Sequence, residues 1–364
     1  MALRSVAVLR PGALGDSVLM LPVLHAFRAA GVERILVLGT PASWAFLRPG
    51  APSAEAQAVS LRAPSETNGR QGCAAPLVRV ADAGGTDWAW LFAEGLPPSA
   101  AAREALAGAG LACVYLKPDR GPIVKALRAA GVPRVVDATP PLMFEHAAEG
   151  DPAPHAAARL LAPLREFLSE EAFESARRGE PLRQEDDPFL AVAPEERSSA
   201  LWRLGFEAPP PGGFFAVHPG SGGKRKCWPA ERYAELTRRA AERGARPLVL
   251  LGPAEEETRD VFRRAAPEGA YLLAESFPLR EVLALLSCAR VFVGNDAGVT
   301  HLAARACPTL ALFGPTDPRV WRPLGAGVTV LQAPDGQLER LACEEVWEAA
   351  EAHGVQRSGF RAPG

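Results

Sequence analysis

At 364 residues, 48% of them hydrophobic, the chain is too long for one core and divides by expectation into two domains of ordinary size. A formal net charge of −2, from 40 basic and 42 acidic side chains, argues against a nucleic-acid partner. Six cysteines (Cys73, Cys113, Cys227, Cys288, Cys307 and Cys343) include no C-x-x-C pair, which excludes a disulfide scaffold and predicts reduced thiols in a cytoplasmic protein.

The amino end is apolar, but Arg10 and Asp16 interrupt it where a signal peptide needs an unbroken apolar core. No run nears the roughly 18 uncharged residues of a membrane span, so any membrane contact is expected to be peripheral. Ser5–Arg10 predicts a strand, Asp16–Ala30 a helix and Arg34–Leu38 a second strand. Residues 50–87 hold AP, ET, NG and GG turn signals and predict an irregular stretch containing a mobile loop. Trp88–Phe92, Ala112–Tyr115 and Arg134–Val136 predict three further strands, separated by Ala-rich helical runs.

Ala153–Phe167 has helical periodicity, and the charged stretch after it marks a linker over 171–188. The alternation then restarts, with strands predicted at Phe214–Val217, Pro247–Leu251, Tyr271–Leu273, Arg290–Val293, Thr309–Phe313 and Val328–Leu331. The expected division is a first Rossmann-like domain at 1–170, the linker, and a second at 189–342. A C-terminal helix and tail over 343–364 could pack back on the first. Strand–helix alternation in both halves predicts an α/β protein of two doubly wound parallel sheets facing a central cleft.

Four polar stretches fall at predicted strand ends. In Pro11-Gly12-Ala13-Leu14-Gly15-Asp16 the aspartate opens a helix. It reads either as a cap favoured by the helix dipole or as a carboxylate held ready as a general base. His218–Leu236 runs through a Gly/Ser loop bearing Lys224, Arg225 and Lys226. The P-loop pattern fails there, because His218 takes its first Gly position and Arg225 its last, which leaves either a solvated basic turn or a cradle for a diphosphate. Glu255, Glu256 and Glu257 open a helix after a strand, where acidic residues compensate the dipole or accept ribose hydroxyls. Asn295, Asp296, Thr300 and His301 follow the next predicted strand, and Thr316 and Asp317 the one after. Singly these are turn and core residues, but polar turns at matching positions along the sheet predict a binding crevice. No Asp-x-Asp triad, His-x-x-x-His or cysteine-ligand spacing is present, so neither a metal site nor a cofactor is expected.

Taken in order, GALGDSVLMLP, HPGSGGKRKCWPAERYAEL, LLGPAEEE and VGNDAGVTHLAA…LFGPTDP resemble the glycosyltransferase family 9 enzymes, the ADP-heptose:lipopolysaccharide heptosyltransferases. The resemblance implies a GT-B architecture and an inverting, metal-independent transfer of heptose from ADP-heptose to the lipopolysaccharide inner core. It also implies cytoplasmic work, with peripheral contact at the inner-membrane face left open. It matches the family's catalytic aspartate to Asp16 and its catalytic lysine to Lys226. The donor-sugar aspartate falls on Asp296, followed by His301, and the ribose-binding glutamate falls within Glu255–Glu257. Ser221, Glu255, Glu256, Asp296, Gly298, Thr300 and His301 are thus the expected donor-binding set, while no motif marks the acceptor contacts. Three departures stand out: Ala297 replaces the family's Ser or Thr, the segment AARACPT is one residue shorter than usual with Cys307 where a Gly-containing turn is expected, and the loop up to Lys226 has an extra Gly and three basic residues. Another nucleotide sugar as donor, or a silent nucleotide-sugar-binding protein, are the alternative readings.

Overall fold

The computed structural model describes residues 3–48, 76–93, 95–116, 121–138, 155–178, 184–253, 255–265 and 269–355. Most of the expected irregular stretch, the middle of the expected linker and the tail beyond 355 lie outside them. The chain forms two compact units, Met1–Asp151 with Ala156–Gly179, and Pro152–His155 with Glu180–Gly364.

The first unit carries strands β1 (Ser5–Leu9), β2 (Arg34–Gly39), β3 (Leu77–Asp82), β4 (Leu111–Val114) and β5 (Val135–Asp137). All are parallel, in the order β3-β2-β1-β4-β5. Alternation along β1 sends Ala7 and Leu9 into a cluster with Trp88, Trp90, Leu106 and Leu127. Val6 and Val8 point to the opposite face and are equally buried, as a parallel sheet with covered faces requires.

Two sequence expectations are corrected here. Trp88–Phe92 is not a strand; Thr86–Leu91 is a short 3-10 helix whose Trp88, Trp90 and Leu91 plug one face of the sheet. Their aromatic content suits a strand by propensity, but tertiary packing overrides it. The third strand is Leu77–Asp82, a half-buried edge whose alternation is blurred by Leu77, which lies exposed on the same side as Arg79. The expected linker is also too wide. Glu170–Arg178 is a helix of the first unit, burying Ala172 and Phe173 as it packs on the Leu21–Ala29 helix.

The second unit carries β6 (Phe214–His218), β7 (Arg246–Leu251), β8 (Leu272–Glu275), β9 (Ala289–Asn295), β10 (Thr309–Phe313) and β11 (Val328–Gln332). All run parallel in the order β11-β10-β9-β6-β7-β8. Numbered within the unit, this is the doubly wound order 3-2-1-4-5-6 of dinucleotide folds. The helix Cys343–Val355 belongs to this unit and not to the first. Val346, Trp347 and Ala350 enter its core, where Trp347 stacks on Phe215.

Asp187, expected in the linker, is fully buried in the second unit. Its Oδ1 accepts from Phe189 N at 2.9 Å and its Oδ2 pairs with Arg305 at 3.1 Å, tying the start of the unit to the end of the Gly298–Ala303 helix. Removing one partner of a buried ion pair strands the other. Asp187→Ala should therefore lower stability by about 3–5 kcal/mol, read from denaturant unfolding of the full chain.

Candidate active site

β6 and β9 are neighbours where the strand order of the second sheet reverses. Loops leaving the carboxyl ends of such strands form the ligand crevice of open α/β sheets. Asn295, the last residue of β9, is fully buried there. Its Nδ2 donates to Pro219 O at 2.7 Å and to Gly220 O at 3.4 Å. Its Oδ1 accepts from Trp228 N at 2.9 Å and Tyr233 Oη at 3.0 Å. Burial holds the Tyr233 phenol well above its ordinary pKa, so it stays a donor. One amide thus grips both ends of the loop that leaves β6.

Between those grips the chain makes a single 3-10 turn, Lys224–Lys226. Lys224 and Arg225 are exposed, whereas Lys226 returns inward and sets Nζ 2.8 Å from Asp296 Oδ2. Thr316, in the turn after β10, donates Oγ1 to the same oxygen at 2.8 Å. Ser221 Oγ donates to the Asp296 carbonyl at 2.8 Å, and Asp296 N donates to Leu312 O at 3.1 Å. Asp296 is buried, so its charge is matched by an ammonium and a hydroxyl and not by water. His301 Nε2 lies 4.0 Å from Oδ1, beyond hydrogen-bond range. The Lys226 side chain is 37% exposed, and an ammonium has three donors, so two N–H groups remain for a ligand.

After β7, Glu255 turns back to accept from Gly252 N at 2.7 Å, with its Oε1 3.6 Å from His218 Nε2. His218 Nδ1 is fixed on Leu250 O at 2.9 Å. The carboxylate lies against Gly220, where a Cβ would fall 1.3 Å from Oε1, so a side chain there would displace the Glu255 carboxylate from this position. Cys227, next to Lys226, remains a thiol because burial and then the Glu255 charge raise its pKa.

In the first unit Asp16 stands at the third position of the short helix Leu14–Val18. Oδ2 reaches back to accept from Ala13 N at 3.3 Å, and Oδ1 pairs with Arg10 Nη2 at 2.6 Å. The capping reading is therefore real, but one oxygen is engaged by a guanidinium in addition.

The second unit brings Ser221, Lys226, Asp296 and His301 together, with Glu255 beside His218 at the neighbouring strand end. It singles out Lys226 from its basic neighbours and Glu255 from its acidic ones, for Glu256 and Glu257 point outward on the first turn of the Glu256–Ala265 helix. Gly298 opens the helix after Asp296. Thr300 does not offer its hydroxyl to the crevice; buried, it donates to Asn295 O at 2.5 Å. Sequence reasoning left Asn295 as ordinary turn chemistry. The available signal was an amide ending an apolar run, where burial demands partners.

The model of glycosyltransferase family 9 (heptosyltransferase) matches residues 180–348. Lipooligosaccharide heptosyltransferase 2 of Haemophilus influenzae is 30% identical over 163 residues, 42% of this chain and 47% of that protein. Lipopolysaccharide heptosyltransferase 1 of Escherichia coli O18:K1:H7 is 33% identical over 123 residues, 33% of this chain and 37% of that protein. The matched stretch thus spans less than half of either relative. The family 9 glycosyl transferase structure from Veillonella parvula superposes with a TM-score of 0.67 at 16% identity, covering 98% of both chains. E. coli ADP-heptose LPS heptosyltransferase II superposes at 0.62 with 18% identity, over 97% of this chain and 99% of that one. At these identities the structures carry the fold, GT-B with two Rossmann-like units. Through residues 180–348 the chain is thus similar to glycosyltransferase family 9 (heptosyltransferase).

Proposed function

We propose that the protein is an inverting, metal-independent glycosyltransferase that moves heptose from ADP-heptose to a lipopolysaccharide inner-core acceptor. It would work in the cytoplasm, with peripheral contact at the inner-membrane face. The observation that carries this reading is the cluster of Lys226, Asp296 and Thr316 at the switch point of the second sheet. The family likeness and the relatives' names supply the sugar and the acceptor class.

In the reaction, the acceptor hydroxyl oxygen attacks the anomeric carbon from the face opposite the diphosphate. The bond from that carbon to the phosphate oxygen breaks, its electron pair leaves with the nucleoside diphosphate, and Asp16 takes the hydroxyl proton. Lys226 directs its two remaining N–H groups at the diphosphate and balances the charge that grows there. Its fixed ammonium fills the role that a divalent ion has in other phosphate chemistry. Asp296 Oδ1 accepts from a hydroxyl of the donor sugar, and Glu255 from the ribose. Ala297 offers no hydroxyl beside Asp296, so the donor is best identified by a panel of nucleotide sugars scored for nucleoside diphosphate release with and without deacylated core. ADP-heptose should turn over only when acceptor is present. Turnover of a different sugar nucleotide would change the donor, and binding with no turnover would leave a silent binding protein.

Asp16→Asn should cut turnover by about 10²–10⁴-fold while donor affinity holds, since general-base assistance has that size. Lys226→Ala should lower kcat by about 10²–10³-fold, the usual effect of deleting one preorganised charge-stabilising group. The exposed Lys224→Ala should leave kcat unchanged, and equal losses at both lysines would mean a diffuse basic loop. Steady-state rates should survive EDTA, whereas loss on chelation and return with Mg²⁺ would overturn the metal-free mechanism.

A further inference from the structure

The two oxygens of Asp16 are held unequally. Arg10 follows β1, and its backbone stays in register, with N donating to Leu38 O at 2.8 Å and O accepting from Trp44 Nε1 at 3.2 Å. The residue is only 8% exposed, and its guanidinium folds back beneath the Pro11–Gly15 turn. Nη2 meets Asp16 Oδ1 at 2.6 Å, and Nη1 reaches Tyr115 O at 3.4 Å. Nε has no hydrogen-bond partner among the described residues.

A buried guanidinium with an unsatisfied N–H is a poor source of stability, because desolvation is incompletely repaid. Its position is better explained by what it holds. Asp16 Oδ2, by contrast, has among the described residues only the long 3.3 Å contact from Ala13 N, and it lies against Gly12, where a Cβ would stand 2.9 Å away. The absent side chain leaves that oxygen approachable.

The geometry points to Arg10 as the positioning residue of the general base: it clamps Oδ1 and thereby makes Oδ2 the oxygen that receives the acceptor's proton. This rests on Asp16 being the base, as proposed above. As the acceptor oxygen bonds to the anomeric carbon and the diphosphate departs with the electron pair, the hydroxyl proton moves to Oδ2. Protonation there leaves the Arg10 contact intact and gives up only the Ala13 contact. A proton on Oδ1 would face a guanidinium N–H and break the ion pair. Besides Asp16, the groups that face Arg10 are the Tyr115 carbonyl beyond β4 and the Trp44 indole of the Pro41–Trp44 helix.

The test compares Arg10→Gln, Arg10→Lys, Asp16→Asn and the Arg10→Gln/Asp16→Asn double variant in the full chain. ADP-heptose and deacylated lipopolysaccharide core serve as substrates, and melting curves check folding. Arg10→Gln should lower kcat by about 10–10²-fold, the scale of a misplaced reacting group, at unchanged donor KM. Arg10→Lys keeps the charge without the planar fork, so it should lose less. In the Asp16→Asn background Arg10→Gln should remove no further turnover, because both act through one carboxylate. A folded Arg10→Gln enzyme with wild-type kcat would overturn the inference, as would additive losses in the double variant. If only Arg10→Lys folds, a reduced kcat at unchanged donor KM supports the clamp and wild-type kcat refutes it. Substantial turnover in Asp16→Asn would instead sink the general-base reading itself.

Discussion

The side-chain amide of Asn295 is the joint on which the second unit's site depends. An amide without access to water must find partners inside the protein, and each one missing costs about 1–3 kcal/mol. Asn295 finds them in Pro219, Gly220, Trp228 and Tyr233, so the desolvation requirement of one residue dictates the path of the whole loop after β6. Lys226 is positioned by this closure and not by its own rotamer preferences, since the two grips leave the intervening turn little freedom. The strand end must also be slim. A Cβ on Gly294 would stand 2.7 Å from Thr300 Oγ1, so only glycine lets the Gly298–Ala303 helix fold down beside it.

A common pattern joins the three carboxylates. Asp296 has Oδ2 held by Lys226 and Thr316 while Oδ1 lies 4.0 Å from His301. Glu255 has Oε2 held by Gly252 N while Oε1 stands 3.6 Å from His218. Asp16 has Oδ1 held by Arg10 while Oδ2 keeps one long contact. In each, one oxygen fixes orientation and the other retains accepting capacity. Within each unit, a carboxylate held in this way can act on a ligand without reorganising, which is what the proposed reaction asks of it. A carboxylate serving stability alone would have both oxygens satisfied, as buried Asp187 does with Phe189 and Arg305.

The sheets were legible because parallel strands covered on both faces are nearly continuous apolar runs, and VAVL, ILVL, PLVLL and TLALF leave no other reading. Trp88-Ala89-Trp90-Leu91 failed for the converse reason. Its aromatics are packed by a 3-10 turn, and nothing local separates that from a strand. Charge was legible as a type but not as a direction: three adjacent basic residues gave a cationic loop, and only the Asn295 grip decides that Lys226 turns inward. The same holds for Glu255 among its neighbours, selected by the gap at Gly220. Arg10 was hidden because it ends an apolar strand, where it reads as the first solvated residue instead of a buried one.

Two of the three departures from the family pattern fall on packing and capping, while the third, the extra Gly and the three basic residues up to Lys226, falls on the loop that carries the charge cluster. Ala297 occupies the N-cap of the Gly298–Ala303 helix and supplies no side-chain bond, a loss of about 1 kcal/mol relative to Ser or Thr. The Thr300 hydroxyl on Asn295 O anchors the same helix from within, so the missing cap leaves its entry angle defined. Cys307 is buried with Sγ 3.6 Å from Ala303 O, and burial pushes its thiol up to about 12, which makes it a small inert filler. Neither change touches Lys226, Thr316 or the Asp296 carboxylate. Where several buried polar groups satisfy one another, as around Asn295, a single substitution would orphan the rest.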